Sequence, residues 1–408
     1  MKEKIKSICK DSTWSIAGIV LMNIVTQFVV YPVWNQKLGP EAYGDILFLV
    51  ALTNIIASPM GSGCNYIRIA QSAQRRTDNS GYLYILTISS LILVPVTVLF
   101  GIFGRVSMTP VDVFLYVLLM VATVWLYYVD VEYRLTLHYV RYFLYCVVIS
   151  AGYLVGTFLF SYIHIWTMPL LLGSFAGVLT VFCRGSIFKL EERQGGSEEI
   201  QDIWKPISAM YITTALSNLI FCADRIVLKY LVNSAAVTVY YLTSMMGKTL
   251  SLVTGPLSSV VIGYLAKYKG KLSATWMNRL VAVCLISVPL IAGACTLTSH
   301  IFISVLYPQE YAACTSFFWI ANLSQVIYCI TNVITIVLLR FFSVRYQVYI
   351  NIAYAVIFCV VAIPMTYVGG IAGFCWGMLW ACVARMVVAL FIGYKCTLKN
   401  AERGDGDR

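Results

Sequence analysis

The stretch Lys189–Pro206, KLEERQGGSEEIQDIWKP, is the longest polar run in the chain, and the reading of everything else turns on it. It is charged, contains a Gly pair and lies near the middle, so it reads as a linker. Moving outward from it, long apolar runs alternate with short polar gaps. Six such runs precede it, near residues 14–34, 43–67, 82–103, 111–131, 143–163 and 168–188. Six follow, near 207–231, 237–265, 280–305, 313–339, 346–367 and 370–394. A helix needs roughly 20 predominantly apolar residues to cross a bilayer, and these runs meet that requirement. The expected fold class is an all-α integral membrane protein, with about 12 transmembrane helices in two six-helix bundles. The expected domains are an N-terminal bundle over 1–188, a cytoplasmic linker over 189–206, a C-terminal bundle over 207–394 and a polar cytoplasmic tail over 395–408.

Composition demands the same solvent. Of 408 residues, 60% are hydrophobic and 12% charged, whereas about a quarter of an ordinary soluble protein is charged. With a mean hydropathy of +0.81, no core a chain of this length could form would hide its apolar surface. A soluble enzyme, a nucleic-acid binder and a secreted disulfide scaffold are excluded. The net charge of +11 is spread over the gaps between runs. If Met1 is cytoplasmic, the cytoplasmic gaps hold Arg75, Arg76, Arg134, Arg141, Lys189, Arg193, Lys205, Lys267, Lys269, Lys271, Arg279, Arg340 and Arg345. The opposite gaps hold little beyond Lys37, Arg105 and Lys229. That asymmetry follows the positive-inside rule and places both termini in the cytoplasm. The basic arm with Lys2, Lys4, Lys6 and Lys10 precedes a run too long for a signal-peptide core, so the first span is expected to be retained.

The 13 Cys show no CxxC spacing and lie mostly in apolar runs, as Cys284, Cys295 and Cys329 do; such thiols act as small hydrophobes. No P-loop pattern G-x-x-x-x-G-K-S/T occurs. His138, His164 and His300 lie near different run boundaries without metal-ligand spacing. No cofactor, metal or catalytic residue is therefore expected. The pairs Gly152/Gly156, Gly173/Gly177 and Gly373/Gly377 have the GxxxG spacing that lets membrane helices approach closely.

The two halves carry matching breaks. Leu38–Ile46, LGPEAYGDI, falls on Val232–Tyr240, VNSAAVTVY, and the same register puts Pro95 on Pro289. Halves of equal orientation are related by a pseudo-twofold axis along the membrane normal, and Gly/Pro-interrupted helices at corresponding places point to the substrate pathway. Pro59 with Gly61, and Pro256 with Gly255, are each expected to interrupt the second span of their half. They read as gating elements, or as ordinary kinks, which membrane helices tolerate.

Four segments resemble those of bacterial polysaccharide flippases, the O-antigen and capsule repeat-unit (Wzx-type) flippases of the multidrug/oligosaccharidyl-lipid/polysaccharide exporter superfamily. NQKLGPEAYGDILFL (35–49) resembles the family's L-G-P-E-x-Y-G turn, and CADRIVLKYLVNSAAVTVYYL (222–242) its second-half counterpart. VLYPQEYAAC (305–314) and YVGGIAGFCWGMLWACVAR (367–385) resemble the elements before the tenth span and opening the twelfth. One departure is Thr238-Val239 where the family has a Gly before the Tyr. The resemblance implies that undecaprenyl-diphosphate-linked oligosaccharide is carried from the cytoplasmic to the outer leaflet of the bacterial inner membrane by alternating access. A polysaccharide polymerase and a chain-length regulator are then candidate partners, alongside membrane lipids.

Ionisable groups inside the bilayer default to functional candidates. Lys248 falls about 17 Å into the eighth run, near the midplane, with no acid nearby in sequence. It is the expected cation for a diphosphate, unless a carboxylate claims it. Arg225, beside Asp224, reads as a headgroup contact or a local ion pair; Arg68, closing the second run, as an entry contact or an orientation charge. Arg385 reads as a packing residue. Asn23 and Gln27, Asn54 and Asn65, and Asn218 are amides that could bind sugar hydroxyls or bond helix to helix. Asn322, Gln325 and Asn332 lean to the second role. Asp130 and Glu132, near Arg134 and Arg141, read as a solvated interfacial cluster.

The rival readings are a drug/cation antiporter of the same superfamily, expected to carry a coupling acid in its first span, and a membrane polysaccharide polymerase, expected to carry a large outer loop. A major-facilitator transporter should show G-x-x-x-D-R-x-G-R-R after the second span, where this chain has QSAQRRTDNSGY (71–82).

Overall fold

A computed structural model describes residues 2–72, 79–103, 106–189, 197–267, 274–341 and 345–405, with side chains over 13–72, 79–100, 106–189, 203–250 and most of 275–395. Every regular element among them is helical. In chain order these are α1 (Lys2–Val25), a π turn (Thr26–Val30), α2 (Tyr31–Ser72), α3 (Asn79–Phe103), α4 (Pro110–Val129), α5 (Val131–Leu135), α6 (Tyr139–Ile163) and α7 (Met168–Arg184). Then come α8 (Ser197–Leu231), α9 (Ser234–Lys267), α10 (Ala274–Leu306), α11 (Tyr311–Thr315), α12 (Phe318–Phe341), α13 (Arg345–Ile357), a π turn (Phe358–Ala362) and α14 (Ile363–Asp405). The chain divides into two compact units, Met1–Ala223 and Asp224–Arg408. The division falls inside α8, past the 189–206 linker.

Eight stretches among the described residues are long and apolar enough to cross a membrane, so the protein is a multi-pass membrane protein. Two of them, Thr13–Ser72 with 60 residues and Tyr349–Lys395 with 47, exceed one bilayer crossing. Each is broken by a glycine. Gly39 has φ 81° and ψ 172°, and Gly370 φ 57° and ψ −135°. Side chains are excluded from both conformations, so glycine is what lets the chain turn there. Gly39 lies between the first and second apolar runs of the sequence, and Gly370 opens the twelfth. Pro59 does not break α2: φ and ψ stay helical through it, and Gly39 is the non-helical residue of that stretch. A proline costs one backbone hydrogen bond, and the packed surroundings of a buried helix absorb it.

Local chemistry sets other boundaries. At the start of α4, Thr109 and Asp112 form a reciprocal capping box with Pro110 at the first helical position. Chain reversal after α6 uses His164 in the left-handed conformation, φ 60°. In unit 1, α6 and α7 meet at backbone distance, since a Cβ on Gly152 would lie 2.7 Å from the Gly173 Cα. That is the close approach expected of the GxxxG pairs. Gly61 serves the same end: a Cβ there would lie 2.2 Å from the Val124 carbonyl oxygen, which places it at a tight crossing of α2 and α4.

One end of unit 1 is tied by polar side chains. Arg68, only 4% exposed, donates to the Tyr128 hydroxyl and the Asn79 amide oxygen. Asn79 in turn donates to the carbonyls of Ser186 (3.2 Å) and Lys189 (2.8 Å). The Glu132 carboxylate accepts from the backbone of Ser186 (3.0 Å) and Ile187 (3.1 Å). In unit 2, Asn322 accepts from the Gly247 N–H (2.9 Å) and donates to Ser299 (3.0 Å), while Gln325 donates to Tyr240 (3.3 Å). Arg385 is buried, bonded to Asn332 (2.8 Å) and Asn351 (3.1 Å), with the Tyr328 ring 4.3 Å away. These polar groups join helix to helix.

Candidate functional site

Unit 1 forms a partly open cavity of about 610 Å³. Its wall is built from stripes at helical spacing. On α2 the stripe is Asn54, Ser58, Ser62 and Asn65; on α4 and α5 it is Thr123, Tyr127, Asp130 and Arg134. On α6 it is Tyr142, Tyr145, Ile149 and Tyr153, and on α8 Thr214, Asn218 and Cys222. Residues three or four apart share a helix face, so each stripe looks one way. Asn23 on α1, Thr26 and Gln27 in the π turn, Tyr31 opening α2 and Ser174 on α7 also line it.

Several donors are already engaged. Asn23 Nδ2 donates to the Ile19 carbonyl (2.8 Å) and Thr26 to Met22 (2.8 Å). Asn218 Nδ2 donates to the Asn54 carbonyl (2.6 Å), joining α8 to α2. The charged members of the wall are Asp130 and Arg134, paired at 2.8 Å. Asp130 also accepts from Asn65 Nδ2, which reaches the Tyr127 carbonyl as well (3.0 Å). For Asp130 the expectation of a solvated interfacial position is corrected: its side chain is 14% exposed and belongs to the cavity wall. The chain continues helically through α4 and α5, which turns Asp130 and Arg134 onto the cavity face.

The structure thus brings Asn23, Gln27, Asn54, Asn65 and Asn218 to one cavity. It does not bring Arg68, Pro59 or Gly61 into that lining; Arg68 is held by Tyr128 and Asn79, and Gly61 by the crossing with α4. Gly255 and Pro256 lie outside the residues described with side chains. The tyrosines and the Asp130–Arg134 pair were missed by the sequence reading, although their three-and-four spacing is visible in it.

Lys248 and Arg225 belong to unit 2. Lys248 pairs with a carboxylate, Asp224, the alternative the sequence left open. The two are 24 positions apart, but they sit on consecutive helices, α8 and α9. The ammonium also lies 5.5 Å from the Tyr240 ring centre, and the Arg225 guanidinium 4.9 Å from that of Tyr241. Lys248, paired with Asp224, and Arg225 thus lie against the faces of Tyr240 and Tyr241.

This fold is similar to that of solved membrane transporters. The chain is similar to the lipid II flippase MurJ in an inward closed conformation, at 12% identity, TM-score 0.73, covering 95% of this chain and 90% of that one. It is similar to an inward-facing multidrug resistance MATE family transporter of the MOP superfamily, at 15% identity, TM-score 0.67, covering 95% and 99%. An outward-facing MATE family transporter matches at 15% identity, TM-score 0.57, covering 97% and 96%. No protein-family model matches the sequence, and no curated protein does.

Proposed function

We propose that the protein is a flippase that carries undecaprenyl-diphosphate-linked oligosaccharide repeat units from the cytoplasmic to the outer leaflet of the bacterial inner membrane by alternating access. The observation that carries this reading is the unit 1 cavity. Amides, hydroxyls and tyrosines line about 610 Å³ inside an apolar helical body. A glycan can exchange hydrogen bonds with such a lining, through hydroxyls that both donate and accept, and its C–H faces suit aromatic rings. Lys248 and Arg225, within unit 2, are proposed separately as cations for a diphosphate, Lys248 as a point charge. The polyprenyl tail stays in lipid. The polysaccharide polymerase and chain-length regulator remain proposed partners.

The test is deletion of the gene in its host, followed by assay of surface polysaccharide and of the leaflet holding the lipid-linked intermediate. The expected result is loss of surface glycan with complete repeat units stranded on the cytoplasmic leaflet. Intermediates reaching the outer leaflet unpolymerised would replace this reading with the polymerase. Intact surface glycan with altered drug tolerance would replace it with the antiporter.

A further inference from the structure

We infer that the glycan this cavity accepts is electrically neutral: sugars bearing hydroxyl, deoxy or acetamido groups, without carboxylate, phosphate or free amine. The inference deepens the flippase reading and rests on it. Its ground is the charge balance of the wall. Among the described lining residues, Asp130 and Arg134 carry the charge, and they neutralise each other at 2.8 Å. The other polar groups are uncharged: the amides of Asn23, Gln27, Asn54, Asn65 and Asn218, the Ser and Thr hydroxyls, and the tyrosine phenols.

A uronate drawn into this space would lose its hydration in a low-dielectric surrounding, which is costly for an unpaired ion. Its natural partner, Arg134, is already committed to Asp130, and that same carboxylate repels it. An amino sugar with a free ammonium meets the mirror image, attracted by Asp130 and repelled by Arg134. Neutral sugars face neither obstacle. Their hydroxyls exchange water for amide and hydroxyl partners without moving a charge out of water.

The test uses the purified full chain and two free trisaccharides of equal shape. One ends in glucose; the other has that glucose oxidised at C6 to glucuronate. Binding is read by calorimetry at pH 7. The neutral probe is expected to bind about tenfold tighter or more, given the cost of an uncompensated charge. Asp130→Asn leaves Arg134 without its counter-charge and should reverse the preference. Asp130→Asn/Arg134→Gln removes both charges and should restore it; this variant also covers the case in which the single one fails to fold. Equal or tighter binding of the glucuronate probe by the unaltered protein would overturn the inference. So would a preference unmoved by Asp130→Asn in folded protein. A separate transport assay of the lipid-linked probes keeps the two ideas apart. Equal translocation of both sustains the flippase reading and sinks neutrality; a neutral binding preference without translocation does the reverse.

Discussion

A lysine buried in an apolar helix must be paired, must reach water or must serve a ligand, and Lys248 is paired with Asp224. That pairing changes what its removal does. Lys248→Ala leaves the Asp224 carboxylate buried without its cation, a loss of about 3–5 kcal/mol for buried pairs. A dead single variant would therefore say nothing of the diphosphate. The informative comparison is Asp224→Asn/Lys248→Gln, which leaves no orphan charge. The double variant should recover thermal stability in detergent relative to Lys248→Ala yet still translocate at least about tenfold more slowly, as loss of a charge-assisted phosphate contact implies. Full translocation by the double variant would reduce the pair to a structural tie. Arg68 behaves differently. It is 4% exposed and bonded to Tyr128 and Asn79, so Arg68→Ala removes a hub shared by three helices. Its melting temperature in detergent should fall, by an amount matching a few kcal/mol. The charges themselves were legible in the sequence. Their partners were not, because Asp224 meets Lys248, and Asn79 meets Arg68, through the folded path of the chain.

Among elements, the glycines separate two kinds of cost. Gly39 has empty space around its Cβ position but a backbone that side chains avoid, so Gly39→Ala should cost about 1–3 kcal/mol through conformation alone. Gly152 has helical backbone but no room, 2.7 Å from the Gly173 Cα. Gly152→Val should force α6 from α7 and cost about 1–3 kcal/mol or more by overpacking. Melting curves check both; a Gly152→Val protein as stable as the parent would mean the helices do not meet as described. Glu310, between α10 and α11, adds a pH dependence. Burial pushes its carboxyl above the ordinary value of 4.5, so the neutral acid is favoured in the folded state. Stability should fall as pH rises from 4.5 through the raised value, and Glu310→Gln should flatten that slope. The apolar runs were readable because bilayer length is a strong constraint. Pro59 misled, since proline announces a lost hydrogen bond but not whether packing holds the helix straight. The stripes on α2, α4 and α6 were readable in spacing, though not in direction, because only packing decides which face of a buried helix meets a cavity.

Over the whole molecule, the sequence contained the solvent, the helical class and the amides Asn23, Gln27, Asn54 and Asn218 that converge on one cavity. It did not contain the convergence itself, nor the neutral balance of Asp130 with Arg134. The chain shares its fold with a lipid II flippase and with multidrug transporters, at identities of 12% and 15%. Those relatives move very different cargo, and a shared fold does not choose between them. Transport of the proposed cargo does. The purified protein would be reconstituted into vesicles preloaded with an undecaprenyl-diphosphate-linked oligosaccharide, and an external glycosidase would report the share of glycan reaching the outer leaflet. Protein-dependent exposure of the lipid-linked glycan, slowed by Asn54→Ala/Asn218→Ala, is the expected result. Glycan that stays as protected as in protein-free vesicles, while the same vesicles exchange a cationic drug against an ion gradient, would contradict it.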